Sequence, residues 1–475
     1  MRTLPLLTLL AIALAGCADK PSPPPLQVGL ATREITPPLG YRMAGYFYER
    51  RATAVHDPLC AKAVVFRQGN TRFALALCDL CQTASEVVEQ ARALASEKTG
   101  IPPDHIAVAS THTHTGPDYF GPLADHLHAL AIVANQGADP AQTMDYPSVL
   151  ATRIAEAIIA ADRDADHRES AARLTAGSAP QPSVAFNRRY VMKDGTVAWN
   201  PGKKNPNIVR PAGPIEPDVS FLTITRNSGA PDAILTNFPL HPDTIGGTEF
   251  SADFPHYIES TLRERLGAPN LIGLFAQGTS GNINHVDVST DRPQSGQAES
   301  ERIGAAIGQC VADALPGATP TVDANLRIAT TRIDLPLQQY TPEEVASARA
   351  LFATIQERKL PFLVGVKATK IVKIYDRYHG QPIWARVQAV RLADDTAIVL
   401  LPSELFVEFG LAIKRQSPFA HTFVIELAND SFGYVPTMHG FKEGAYEPTN
   451  ATVRPGAGER LTEAAVQLLG QLKRD

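Results

Sequence analysis

The chain has 475 residues, long enough for a large core and, by length alone, two or three domains. Hydrophobic residues make up 44% and charged residues 20%, an ordinary globular balance. With a net charge of −5 nothing points to a nucleic-acid binder, and no stretch beyond the N-terminus is apolar enough to span a bilayer.

Met1 and Arg2 supply a short positive region, and residues 4–15 are apolar but too few to cross a membrane. Leu14-Ala15-Gly16-Cys17 follows. This is the pattern of a secretory signal, and its last four residues resemble a bacterial lipobox. The resemblance implies a signal peptide over 1–16, cleavage before Cys17 and lipidation of that thiol. Asp19 lies one place beyond the usual inner-membrane retention position. The expected location is therefore the bacterial cell envelope, lipid-anchored, at the outer membrane facing periplasm or exterior. Residues 17–26 are Pro- and Ser-rich and read as a tether. Residues 27–475 form the remaining domain. Cys60, Cys78, Cys81 and Cys310 remain after Cys17. Cys78 and Cys81 have metal or redox spacing but no second such pair, and Cys78 ends an apolar run, which favours a buried structural thiol. An oxidising compartment permits disulfides, whose pairing the sequence leaves open.

A first strand starts at Val28. Apolar runs at 61–66 and 73–77 flank the turn Gln68-Gly69-Asn70 and predict a hairpin. Thr83 with Glu86 three residues on reads as a capping box for a helix over 84–98, ended by Gly100 and Pro102-Pro103. A strand over 106–110 follows, so strand, helix and strand predict a parallel pair. It runs into Thr111-His112-Thr113-His114-Thr115-Gly116-Pro117. If the extended backbone continues, both imidazoles point to one side. They are either zinc ligands or hydrogen-bonded residues of a turn. His126 and His128 follow without anchoring context and are not read as ligands. A helix spans 146–161 and a strand 172–179. Arg188-Arg189 stands beside an irregular loop over 200–217. The pair could grip an oxyanion or carboxylate, or be solvated. Strands over 219–225, 233–238 and 271–276 alternate with a helix over 253–266. The second runs into His241, held between Pro239-Leu240 and Pro242. The third enters the loop 277–285, whose glycines and amides suit a backbone close to a ligand. Helices over 299–314 and 341–358 precede a basic stretch (Lys367, Lys370, Lys373) that reads as a solvated face. Strands over 389–392, 396–401 and 422–427 lead to Glu404 and Tyr434, and a helix over 458–472 closes the chain. No solenoid or propeller repeat is visible.

Asp79, His112, His114, His241, the 277–284 loop, Glu404 and Tyr434 all follow apolar strands. Ligands bind at strand carboxyl ends in open α/β sheets. The expected fold is α/β: a mixed, largely parallel sheet flanked by helices, with the active site at the strand carboxyl ends. Two histidines, a carboxylate and a weak fourth ligand match a catalytic rather than a structural zinc site.

Five motifs together resemble the neutral, non-lysosomal ceramidases in their catalytic domain. They are Thr111 to Pro117, Asn237-Phe238-Pro239-Leu240-His241-Pro242, Phe275-Ala276-Gln277 with its loop, Pro402-Ser403-Glu404, and Leu427-Ala428-Asn429 with Tyr434-Val435-Pro436-Thr437. The resemblance covers residues from about 28 to the C-terminus, without the family's further C-terminal domain. It implies Zn2+ held by His112, His241, Glu404 and Tyr434, with His114 beside the reacting group and Arg188 as the active-site arginine. It also implies hydrolysis of a lipid amide, with membrane attachment through the N-terminal lipid. Asn284 stands where the family has its active-site serine, and Asn282 where it has aspartate. Asn284 can donate to an oxyanion but cannot be a nucleophile. Water activated by zinc needs no serine. Hydrolysis of another amide or ester (an acylated sugar or cell-wall fragment) and a catalytically inactive ligand-binding lipoprotein are the alternatives.

Overall fold

The computed structural model describes residues 24–167, 171–227 and 229–474. The signal segment, Cys17 and most of the expected tether lie outside the described residues. Leu26, given to the tether above, already begins the first strand.

One order of elements occurs three times. In the first unit β1 (Leu26–Glu34), β2 (Cys60–Gln68) and β3 (Thr71–Cys78) pair antiparallel, α1 (Ser85–Thr99) crosses over, and β4 (Ile106–Ser110) returns parallel to β3. Helix α2 (Tyr146–Asp166) then packs on the sheet. The second unit repeats this with β5 (Arg173–Pro180), β6 (Asp218–Thr225), β7 (Ala233–Phe238), α3 (Phe254–Leu266), β8 (Ile272–Gln277) and α4 (Gln297–Ala314). The third uses β9 (Ala324–Leu335), β10 (Ile383–Ala393), β11 (Thr396–Leu400), α5 (Val407–Gln416), β12 (His421–Ile425) and α6 (Ala457–Arg474).

The mixed α/β class is as expected, but "largely parallel" is corrected. In each of the three sheets one ladder is parallel and the other strands pair antiparallel. Only a strand–helix–strand link forces a parallel pair, and hydrophobic period carries no strand direction. The strands read as continuous apolar runs because both faces are buried. Leu75, Leu77, Leu235, Leu274, Ile398 and Phe423 point inward to one central core shared by all three sheets. Residues of opposite parity, such as Val65, Phe221 and Val399, pack under the outer helices. Each fully buried Leu, Ile or Phe contributes about 1.5–3 kcal/mol.

Several local expectations are corrected. Thr83 and Glu86 form no capping box: Ala84 is the N-cap of α1, and Thr83 Oγ1 donates instead to Leu427 O at 3.2 Å. A capping box does head the helix Pro342–Ala353, between Thr341 and Glu344, and that helix ends five residues short of 358. The 200–217 loop contains a strand, Ile208–Pro211, paired with Arg189–Met192. The basic stretch lies on the helix Phe362–Val372 and a π turn, Lys373–Arg377; Lys367 is exposed, but Lys370 is 4% exposed and Lys373 half-buried. Cys60, Cys78, Cys81 and Cys310 are free thiols, and Cys78 is fully buried as expected. His128 bonds Asp139 and His126 packs on Phe352; neither joins the site below. No described helix is long and apolar enough to cross a membrane.

Candidate metal centre and its cleft

The carboxyl ends of the three parallel pairs meet. Ser110 N donates to Leu427 O at 3.2 Å, Asn429 N to Val108 O at 2.7 Å, and Glu426 N to Gln277 O at 2.9 Å. Asn429 also clamps two units by accepting from Arg92 and Val108 N and donating to Gln388. Each unit therefore delivers one group to the meeting point: His112 after β4, His241 after β7 and Glu404 after β11.

The expected extended backbone does not carry the histidine pair. His112 has φ +74, and Ser403, just before Glu404, has φ +70. Such left-handed conformations cost about 1–3 kcal/mol each in non-glycine residues. The turn at His112 nonetheless brings its Nε2 within 3.4 Å of His114 Nε2. The Nδ1 of His112 donates to Cys81 O at 2.7 Å, which leaves its Nε2 lone pair free. Ser280 Oγ donates to Glu426 at 2.7 Å and sits 3.3 Å from His241 Nδ1, so that nitrogen donates to the hydroxyl and His241 Nε2 is likewise free. Glu404 Oε1 accepts from Gln82 Nε2 at 3.0 Å. Its Oε2 lies 3.4 Å from His112 Nε2 and 3.5 Å from His241 Nε2.

His241 Nε2 and Glu404 Oε2 are buried and lack any hydrogen-bond partner among the described residues. The three ligand atoms of His112, His241 and Glu404 lie within 4.8 Å of one another. Buried polar atoms aimed at one another without partners fit a cation, since each would otherwise bear its full desolvation cost. The set of two imidazoles and a carboxylate is the three-ligand kind that leaves a position for chemistry. Burial pushes His241 down to about 4, with Arg188 adding to the effect. Burial also disfavours charge on His112 and Glu404, but their mutual attraction outweighs it, raising His112 and holding Glu404 well below the carboxylate range. A second group, Cys81, His112 and His114, shares His112, whose Nδ1 is already committed to the Cys81 carbonyl.

Tyr434 pairs with Glu404 in a two-residue parallel ladder, and its ring stacks 6.5 Å from that of His241. Burial raises its phenol well above the ordinary range, with Arg188 opposing. The Arg188 guanidinium lies 5.3 Å from the Tyr434 ring centroid. Arg188 and Arg189 are not a solvated pair. Both are buried on Glu447, with Arg188 Nε at 2.9 Å and Arg189 Nη1 at 2.6 Å. Burial pushes His114 down to about 3, the other imidazoles contributing, so it is neutral. The structure thus brings His112, His114, His241, Glu404 and Tyr434 together and sets Arg188 behind Tyr434. Asn284 is buried, pairs with Phe186 two residues before Arg188, donates to Asn200 Oδ1 at 3.1 Å and accepts from Val286 N. Asp79 is held by Cys60 N and Thr111.

A cleft of about 180 Å³ opens over the centre. Its apolar lining includes Phe47, Phe120, Leu123, Phe432 and Tyr446, and Gln82, Asp118 and Lys373 add polar groups. Gly45, at φ +99, lets the wall approach His114, where a Cβ would stand 2.7 Å from that of the histidine. Sequence reasoning missed Gln82, Glu426, Tyr446 and Glu447, gave Ser280 no role of its own within the 277–285 loop, and read Lys373 as solvated. Glu426 had a signal, a carboxylate within an apolar strand. Glu447 had none.

No family model matches the chain, and no curated protein matches it. Among solved structures it resembles the neutral ceramidase from Pseudomonas aeruginosa, with a TM-score of 0.72 and 18% identity over 95% of this chain and 75% of that one. A ceramidase complexed with C2 matches with a TM-score of 0.71, at the same identity and coverage. The chain has the neutral ceramidase fold.

Proposed function

We propose that this protein is a zinc-dependent hydrolase cleaving the amide bond of an N-acyl lipid, with ceramide the first substrate to test. The observation that carries the reading is the meeting of His112 with the partnerless His241 Nε2 and Glu404 Oε2 beneath an apolar cleft. The fold shared with neutral ceramidase supports it.

His112, His241 and Glu404 would hold the ion, with Tyr434 as a weak fourth ligand. The ion would supply Lewis acidity and lower the pKa of water in the site. The remaining steps belong to side chains. Neutral His114 can accept a proton from the attacking water and return it to the leaving amine. The Tyr434 hydroxyl, with the Arg188 charge behind it, donates to the oxygen that becomes negative. The apolar lining takes the acyl chain and excludes water. A water nucleophile would need no serine, so Asn284 in that place does not by itself make the site an inactive relic. A lipid on Cys17 would keep the cleft at a membrane surface, where N-acyl lipids lie.

The test is release of sphingosine from a short-chain ceramide by purified protein, before and after chelation and zinc return. Chelator-sensitive release restored by zinc is expected. No release from folded, zinc-loaded protein, on ceramide or other N-acyl lipids, overturns the reading.

A further inference from the structure

Lys373 is the cation of the cleft that the proposed chemistry leaves unused. It lines the cleft from the π turn Lys373–Arg377. A π turn displaces a side chain from the helical register and often marks a functional position. Among the described residues, its ammonium makes one hydrogen bond, to Ser431 O at 3.5 Å, at the limit of contact. Burial and the neighbouring Arg377 push it down to about 8, with Asp430 and Glu404 opposing through space and neither pairing with it. Asp430 accepts from Ser431 N, and Glu404 accepts from Gln82 on one oxygen while the other faces the two histidines of the proposed centre. Lys370, one turn earlier, is by contrast satisfied by Tyr340 and Gln338. A half-buried ammonium with donors unspent is costly unless something pairs with it. A neutral hydroxyl would not repay that cost; an anionic oxygen would.

We propose that Lys373 forms an anion subsite of this cleft, and that the substrate is an N-acyl compound with an acidic group on its amine half. Carboxylate, phosphate and sulfonate share the required chemistry. The acyl half is left to the apolar lining of Phe47, Phe120 and Leu123. This rests on the amide-hydrolase reading and narrows it from ceramide-like neutral amines to acidic ones. Lys373 is then a specificity residue, away from the reacting atoms.

The experiment compares kcat/KM for N-decanoylglycine and N-decanoylethanolamine with the zinc-loaded full chain. The wild type is expected to favour the acid at least tenfold. Lys373→Met is expected to lower that ratio at least tenfold, chiefly through KM, and Lys373→Arg to retain it. A wild type without preference, or a Lys373→Met variant that keeps it, overturns the subsite. Calorimetric binding of decanesulfonylglycine against its glycinamide, a pair resistant to hydrolysis, reads the subsite without turnover. Lys373-dependent preference for the acid there, with neither the decanoyl amides nor ceramide cleaved, would support the subsite while removing the hydrolase reading. Equal binding of the two would overturn the subsite. N-decanoyltaurine and N-decanoylphosphoethanolamine identify which acid fits best.

Discussion

His112, Glu404 and His241 are each aimed by a hydrogen bond to a second residue. His112 is aimed by the Cys81 carbonyl, Glu404 by Gln82, and His241 by Ser280. Removing such a partner typically weakens metal binding about 10- to 100-fold. Ser280→Ala is therefore expected to lower zinc affinity by that factor in a competitive chelator titration, and unchanged affinity would disprove the aiming role. Behind Ser280, burial raises Glu426 from 4.5 to about 8. Its folded pKa lies above its unfolded one, so its contribution to stability is full below about 4.5 and lost as pH rises through about 8. Wild type should lose stability against Glu426→Gln between pH 5 and 9, by on the order of a few kcal/mol. Denaturant unfolding of chelated protein measures this slope. A pH-independent difference would show that Glu426 titrates normally.

Strand ends set the site at the scale of elements. The loop after β8 passes so close to the Glu404 strand that a Cβ on Gly281 would lie 2.7 Å from Glu404 O. Gly281 N donates to Leu405 O at 2.7 Å, and Arg188 donates to Gly281 O. Gly281→Ala should displace both Glu404 and Arg188, lowering zinc affinity and activity together while the circular dichroism of the fold persists. Full activity in that variant would mean that the contact can relax harmlessly. The failed capping box at Thr83 belongs to the same scale. Its hydroxyl is spent on Leu427 O, tying the first unit to the third where the site forms.

For the whole molecule, three units share one core; the first and second each contribute one proposed ligand, and the third contributes Glu404 and Tyr434. No unit alone holds a complete site, so binding should stabilise the assembly rather than a loop. Zinc returned to chelated protein is expected to raise Tm in a concentration-dependent manner, as RT ln(1 + [L]/Kd) requires. At 100 times Kd this is about 2.7 kcal/mol. Calorimetry showing the same Tm with and without metal would separate the cluster from the fold.

Apolar runs, helix periods and strand-end residue types were legible in the sequence because they are local. They located most of the strands and helices, and they singled out His112, His114, His241, Glu404 and Tyr434. Strand direction was not legible, since the same apolar run serves either sense. The threefold order was hidden because the links between its strands differ in length and composition. The environments of Lys373 and Arg188 were decided only in three dimensions. Whether a basic side chain is solvated, buried on a carboxylate or turned into a cleft depends on partners far away in the chain. Glu447 lies 259 residues beyond Arg188. The sequence specified which chemistry was at hand; tertiary packing decided which groups meet.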